Sequence, residues 1–340
     1  MRFSQDQCSS EDAMRLLRLS EGLGAPRILQ LAAELGVADQ LGDGPRSAEE
    51  LAAATETDAS ALYRLLRALA SVGIFTEVEP GRFGLTGVGE HLRTDHPESL
   101  ASWVLFQGLF NDVNTQAMSS IRTGRSTVPE VFGESLFEHL SRHPGKAAIF
   151  QEAMAQHSRL MGPRLIEAYD FGGARRVVDV GGGDGSFLSA ILRAHPEMNG
   201  VVYDAPYVAD AAHKQLAAAG LGERCAFVSG DFLERVHPGG DVYLLKGVVH
   251  NWPDDEAVAL LRNCRRAMGA DGRLLLIEWV VPPGDEPHPS KLLDLSMLFV
   301  YGGKERTERE FVELLSEADL RLVRVVGTSS TLNFLEAAPA

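Results

Sequence analysis

The sequence predicts an α/β protein in two parts, a mostly helical N-terminal half and a C-terminal half built on a doubly wound, largely parallel sheet. Three observations predict it. Before about residue 170 the apolar residues recur at helical spacing, as in Leu16, Leu17 and Leu19 and again in Leu62, Leu65, Leu66 and Leu69. From Arg175 onward short apolar runs alternate with amphipathic segments: RRVVDVG, NGVVYD, CAFVSGD, DVYLLKGVV, GRLLLIEWVV, LRLVRVV and TLNFLEA. The first five of these are nearly continuous hydrophobics, the texture of strands covered on both faces. The last two runs are separated only by Gly327 to Ser330, which predicts an antiparallel hairpin closing one edge of the sheet.

The N-terminal elements follow in order. Ser47-Ala-Glu-Glu opens a helix with a capping box, and Asp58 opens a second helix through Leu69 after a short turn. Gly73 to Thr86 then reads as a hairpin turning at Pro80-Gly81. Helix, turn, helix, hairpin is the order of a winged helix. Such modules often bind DNA, but residues 1 to 100 carry 9 Lys+Arg against 16 Asp+Glu, a net of -7, which favours packing or dimerisation over a basic reading face.

Composition narrows the function classes. The 340 residues suffice for two compact units. The formal charge of -15 repels phosphate backbones and anionic membranes, so nucleic acid is a poor partner. Cys8, Cys225 and Cys264 form no CxxC and leave one over from any pair, as expected of reduced thiols in a cytoplasmic protein without structural zinc. No apolar stretch approaches the roughly 20 residues of a membrane span, and MRFSQDQCSSEDAMRLL lacks the pattern of an export signal.

In open α/β sheets ligands sit at the carboxyl ends of the strands. The first run ends in Asp179-Val-Gly-Gly-Gly-Asp-Gly185 before a helix. A dinucleotide fingerprint beginning at Gly181 requires Gly or Ala at position 186, which is Ser186; the pattern DxGxGxG fits throughout, with Asp179, Gly181, Gly183 and Gly185. This favours a nucleoside ligand without a pyrophosphate, such as S-adenosylmethionine, over NAD. The second run ends at Asp204, where a carboxylate can accept ribose hydroxyls, though alone it also reads as a cap before Pro206. Asp231 and Phe232 end the third run, an acceptor for an adenine amino group and a ring to pack on the base; singly they are ordinary turn and core residues.

The fourth run ends in Lys246-Gly-Val-Val-His250-Asn-Trp-Pro, and the fifth carries Glu278 inside LLLIEWVV. A carboxylate in such a run is costly to bury unless paired, and His250 is the partner expected for it. A carboxylate on one imidazole nitrogen leaves the other as a base. Asp254-Asp255-Glu256 resembles a metal cluster but reads more simply as the acidic first turn of a helix, and no metal is expected.

The ordered series VVDVGGGDG, VVYDAP, GDF, LLKGVVHNWPDDEA, LLLIEW and GGKERT resembles the S-adenosylmethionine-dependent O-methyltransferases of small molecules, both the plant caffeic acid and flavonoid enzymes and the bacterial antibiotic-tailoring ones. The resemblance implies a Rossmann-like methyltransferase domain over 171-340, a winged-helix dimerisation domain over 1-100 and a helical interdomain segment over 101-170 that lines the acceptor pocket. It implies a homodimer, and that Asp179, Gly181, Gly183, Asp204, Asp231, Phe232 and Lys246 contact S-adenosyl-L-methionine, with Ser158 near it. It also implies that His250 is the general base flanked by Glu278 and Glu305, and that Met154, His157 and Met297 line the pocket of a small aromatic acceptor. Asn251 stands beside that pocket where aspartate often follows the histidine, and the segment from Met297 to Gly303 is shorter than in plant members, so the two departures bear on the acceptor. The expected reaction is methyl transfer to an aromatic hydroxyl. Hydroxylation or decarboxylation on the same scaffold is the alternative, and a winged-helix regulator is a third reading that the acidic N-terminal half opposes.

Overall fold

The computed structural model describes residues 10–21 and 24–340, and the chain divides into two compact units with the boundary between Leu109 and Phe110. In the first unit, Ser47 accepts the Glu50 N–H while the Glu50 carboxylate accepts the Ser47 N–H, and the helix Ala48–Thr55 follows from this box. Asp58 accepts the Ala61 N–H at 2.8 Å and starts the helix Ala59–Ser71. Strands β1 (Arg46–Ser47), β2 (Phe75–Glu79) and β3 (Arg82–Leu85) form a small antiparallel sheet in the order β1-β3-β2. Its core of Leu51, Leu62, Leu66, Leu69, Phe75 and Phe83 is drawn from the helical-period positions and the wing. Cys8 lies outside the described residues, while Cys225 and Cys264 are buried free thiols.

The second unit carries a seven-stranded sheet. Its strands are β4 (Arg176–Val180), β5 (Asn199–Asp204), β6 (Cys225–Ser229), β7 (Val242–Lys246), β8 (Arg273–Glu278), β9 (Leu320–Gly327) and β10 (Asn333–Pro339). They lie in the order β6-β5-β4-β7-β8-β10-β9, parallel through β8, with β10 and β9 antiparallel at the edge. The period of two sends neighbouring residues to opposite layers: Val178, Tyr243, Leu245, Leu274 and Leu276 pack on one face, and Val177, Val242, Leu244, Leu275 and Ile277 on the other. One expectation changes. The apolar texture of the third run predicts cover on both faces, but β6 is the opposite edge of the sheet, with Ala226 and Ser229 exposed.

The strand order reverses between β4 and β7, so the loops after them part at their carboxyl ends and open a crevice there. No helix among the described residues is long and apolar enough to cross a membrane. Leu244 sits fully buried in β7, beside that crevice and under both neighbouring strands. Leu244→Ala is expected to lower stability by about 2 to 5 kcal/mol, read as an earlier midpoint in equilibrium urea unfolding; a midpoint equal to the parent protein's contradicts the packing described.

Candidate active site

Two groups of side chains meet at the carboxyl ends of the parallel strands. The first surrounds the glycine loop after β4. Gly181, Gly183 and Gly185 all have positive φ, at 72°, 58° and 78°. A Cβ on Gly181 would stand 2.8 Å from Val248, whereas one on Gly183 would meet nothing within 4 Å, so the loop is packed below and open above. Asp204 accepts the Gly183 N–H at 2.7 Å and the Ala205 N–H at 2.6 Å, tying the end of β5 to the loop. Asp179 is buried at the end of β4, and its Oδ2 has no hydrogen-bond partner. Burial pushes its carboxyl up to about 7 against the pull of Lys246, with Asp204 and Asp184 adding to the rise. Burial likewise lowers Lys246, which ends β7, although Asp179, Glu278 and Asp184 oppose the shift.

Around this loop, Asp231 accepts the Leu233 N–H at 2.8 Å, and Phe232 meets Trp252 edge to face at 5.8 Å. Ser158 is buried on the long helix Pro144–Ala168, its hydroxyl donating to the Met154 carbonyl at 2.8 Å. The carboxylates of Asp179, Asp204 and Asp231 thus follow three neighbouring strands beside an open glycine loop. An orphaned, buried carboxylate oxygen next to that loop fits a nucleoside that carries positive charge.

The second group surrounds His250, which sits on a 3₁₀ turn, Val249–Asn251. Glu278, at the end of β8, is fully buried and accepts the N–H groups of Val248 at 3.1 Å and Val249 at 2.8 Å through Oε1. The expected bond between Glu278 and the imidazole is therefore not made: Oε2 stays 3.8 Å from Nδ1 because the turn's amides fix the carboxylate. Glu305 takes that place, with Nδ1 donating to its Oε1 at 2.7 Å, and leaves Nε2 over Gly247 as the nitrogen able to take a proton. Burial pulls the His250 pKa down, but the charge of Glu278 and the bond to Glu305 outweigh it and raise it overall. Burial raises Glu278 as well. Asp294 steadies Glu305 by accepting its backbone N–H at 2.8 Å.

The residues expected around the acceptor gather unevenly. Asn251 turns back to donate to the Gly247 carbonyl at 3.2 Å. Met297 is buried and begins a π-helical turn, Met297–Tyr301, that packs against the His250 turn. His157 reaches the group through Trp279, at 5.8 Å between rings, and Met154 lies one turn earlier on the same helix face. Burial, then the charges of Lys246 and His250, hold His157 down to about 3, so it is neutral at physiological pH. Sequence reasoning passed over Trp279, whose ring lies flat on His250 at 5.5 Å and 10° and whose Nε1 donates to Thr331. The available signal was a large aromatic directly after the strand-end carboxylate.

Among the described residues two groups bring three potential metal-ligand atoms together: His250 with Glu278 and Glu305, and Glu134 with His139 and His143. In the second, Glu134 is ion-paired with Arg142 and His139 Nε2 faces the Lys146 ammonium at 3.0 Å, so protein cations already occupy the acceptors.

Residues 115–321 match the model of the O-methyltransferase domain, and residues 17–95 that of the O-methyltransferase dimerisation domain. The chain is 43% identical over 329 residues to the phenazine O-methyltransferase PhzM of Lysobacter antibioticus, covering 95% of each chain. It superposes with a TM-score of 0.83 and 37% identity on the O-methyltransferase NcsB1 from neocarzinostatin biosynthesis, solved with S-adenosylmethionine and 2-hydroxy-5-methyl naphthoic acid, covering 95% of this chain and 98% of that one. A relative with another chemistry in its name, the aclacinomycin 10-hydroxylase RdmB of Streptomyces purpurascens, is 34% identical over 330 residues, 95% of this chain and 88% of that one.

The raised Asp179 pKa carries a prediction for the free protein. Protonation favours the folded state, so stability falls as pH rises from the ordinary aspartate range near ~4 through about 7, where the cost is complete. Asp179→Asn removes that dependence. Its stability relative to the parent should climb between those limits and level off above them in urea unfolding at stepped pH, whereas a constant difference would place the Asp179 carboxyl in an ordinary environment.

Proposed function

The chain belongs to the O-methyltransferase family, and we propose that it methylates a hydroxyl of a small aromatic acceptor with His250 as the general base. S-adenosyl-L-methionine, the cofactor, supplies an electrophilic methyl group on a sulfonium sulfur. Asp179, Asp204, Asp231, Phe232 and the loop from Gly181 to Gly183 are the residues we assign to holding it, with Lys246 and Ser158 beside them. A phenol has a pKa near ~10, so at neutral pH its proton must leave as the oxygen attacks. His250 Nε2 takes that proton, Glu305 stabilises the imidazolium through Nδ1, and Glu278 keeps the turn in place. General-base help of this kind contributes roughly 10²- to 10⁴-fold, and holding the oxygen in line contributes further.

The observation that carries this reading is the 2.7 Å bond from His250 to Glu305, on the strand end next to the glycine loop and its carboxylates. Met154, His157, Asn251, Met297 and Trp279 are the side chains assigned to the acceptor, a largely apolar and aromatic set with few fixed charges. The hydroxylase among the relatives favours a second reading, hydroxylation of the acceptor on the same scaffold, with dioxygen supplying the oxygen and an external two-electron reductant releasing its other atom as water. Incubating a panel of phenols and fused-ring hydroxyaromatics with methyl-labelled S-adenosylmethionine separates the two, since only methylation places the label in the product.

His250→Ala is expected to leave cofactor affinity nearly unchanged and to cut turnover on a phenol of pKa near 10 by about 10²-fold or more. The deficit should shrink for acidic phenols that arrive ionised. Activity retained across the whole series would make catalysis a matter of positioning alone.

The dimerisation-domain match supports a homodimer, so sedimentation should give about twice 36.8 kDa. A monomer at micromolar concentration speaks against that assembly.

A further inference from the structure

We propose that Arg306 is a positioning residue for this reaction: its buried guanidinium locks the turn that carries His250 and thereby sets the imidazole against Glu305. The inference rests on His250 acting as the base. Arg306 has no solvent-exposed surface. Its Nη1 donates to the Val249 carbonyl at 3.2 Å and the Lys304 carbonyl at 3.3 Å, and its Nη2 to the Trp252 carbonyl at 2.9 Å. Nε and Nη2 both donate to Asp254 Oδ1, at 2.9 and 2.7 Å. All five donors of the fork are therefore engaged, and the two carbonyls from Val249 and Trp252 bracket His250 and Asn251 from either side.

The adjoining segment completes the lock. The Lys304 N–H donates to the His250 carbonyl at 3.0 Å, and Gly303 lies so close that a Cβ there would fall 2.0 Å from the same oxygen. Arg306 itself is anchored to the chain beyond β8 by the bond from the Val281 N–H to its carbonyl at 2.9 Å. The residue after Glu305 thus grips the turn on which the Glu305 partner rides, so the two ends of the His250–Glu305 bond are fixed by one short stretch of chain.

Stability alone is a weak reason for this arrangement. A buried guanidinium pays a large desolvation cost, and its carboxylate partner Asp254 is 60% exposed, which leaves the ion pair worth little. Geometry is what the five bonds deliver. An error of about 1 Å in a catalytic group can cost on the order of 10²-fold. The charged and titratable groups around His250 are Glu278 on β8, Glu305 and Lys304 beside Arg306, Asp294 on the helix Pro289–Ser296, Lys246 on β7, His157 on the long helix and Asp254 at the far side of the lock.

The test compares Arg306→Met and Arg306→Lys with His250→Ala in the full-length protein. Arg306→Met should lower kcat roughly 10- to 100-fold on a weakly acidic phenol while leaving KM and cofactor affinity almost unchanged, and the deficit should shrink for acidic phenols. The acid limb of the kcat profile should move to lower pH, because the Glu305 bond that raises His250 loosens. The low-field Nδ1–H proton resonance of His250 should broaden or vanish. Arg306→Lys, which keeps the charge but not the fork, should recover only part of the loss. Parent-like kcat and acid limb in folded Arg306→Met, or a deficit equal for all acceptors, overturns the proposal and leaves Arg306 a structural residue. If Arg306→Met does not fold, Arg306→Lys decides by the same criteria. If His250→Ala shows no dependence on acceptor acidity, the general-base reading fails, and the Nδ1–H resonance alone then decides whether Arg306 sets the imidazole.

Discussion

The arrangement of the second unit depends on how a fully buried carboxylate, Glu278, is made tolerable at the end of a strand of leucine and isoleucine. A bare carboxylate there would cost several kcal/mol. Glu278 instead accepts two amide N–H groups from the chain leaving β7, and those two bonds are what bend that chain into the turn bearing His250. The sheet register sets β8 beside β7, so the carboxylate and the turn it organises are neighbours by construction. The imidazole rides on that turn, and the segment around Glu305 and the π-helical turn pack against it.

The same economy separates the roles of the two acidic residues near His250. Glu278 is committed to backbone and acts on the ring only through its charge, at 3.8 Å. Glu305 is committed to the ring through a direct bond and is itself tied to Asp294 by its N–H. Each retains one buried oxygen without a hydrogen bond, so the pocket carries more acceptors than donors. A site with that imbalance favours an added proton on the imidazole. Trp279, flat against the ring, offers its π face to the same positive charge.

What the sequence made legible was local or periodic. The capping box at Ser47, the cap at Asp58, the wing turning after Glu79 and the glycine loop each follow from residues within a few positions of one another, and the two faces of β4 and of β7 and the acids at the strand ends from a pattern repeated run after run. Glu278 was legible as a residue in need of a partner, because one acid in an apolar run stands out. Which partner it takes was not legible: the amides of Val248 and Val249 carry no side-chain signature, and their claim on Glu278 left the imidazole to Glu305. The edge position of β6 was hidden for the same reason, since its apolar content matches that of central strands while its exposure depends on strand order. Nothing in GGKERT marks Arg306 as buried, and only the fold reveals that the chain turns it inward.

The two groups at the strand ends are best understood as one electrostatic device. In the proposed reaction a positive charge disappears on the side of the site faced by Asp179, and another appears on His250, faced by Glu305 and Glu278. Carboxylates are already fixed at both places, one set for the charge that is lost and one for the charge that is gained. Glu278 and Glu305 are buried and held by backbone amides or by a single short bond, so they need little reorganisation as charge forms on the imidazole in the proposed reaction, and that is where a preorganised site gains over water. Lys246 lies between the two sets, drawn to Asp179 on one side and Glu278 on the other. Its positive charge offsets part of the repulsion between the carboxylates of the two groups, whatever reaction they serve.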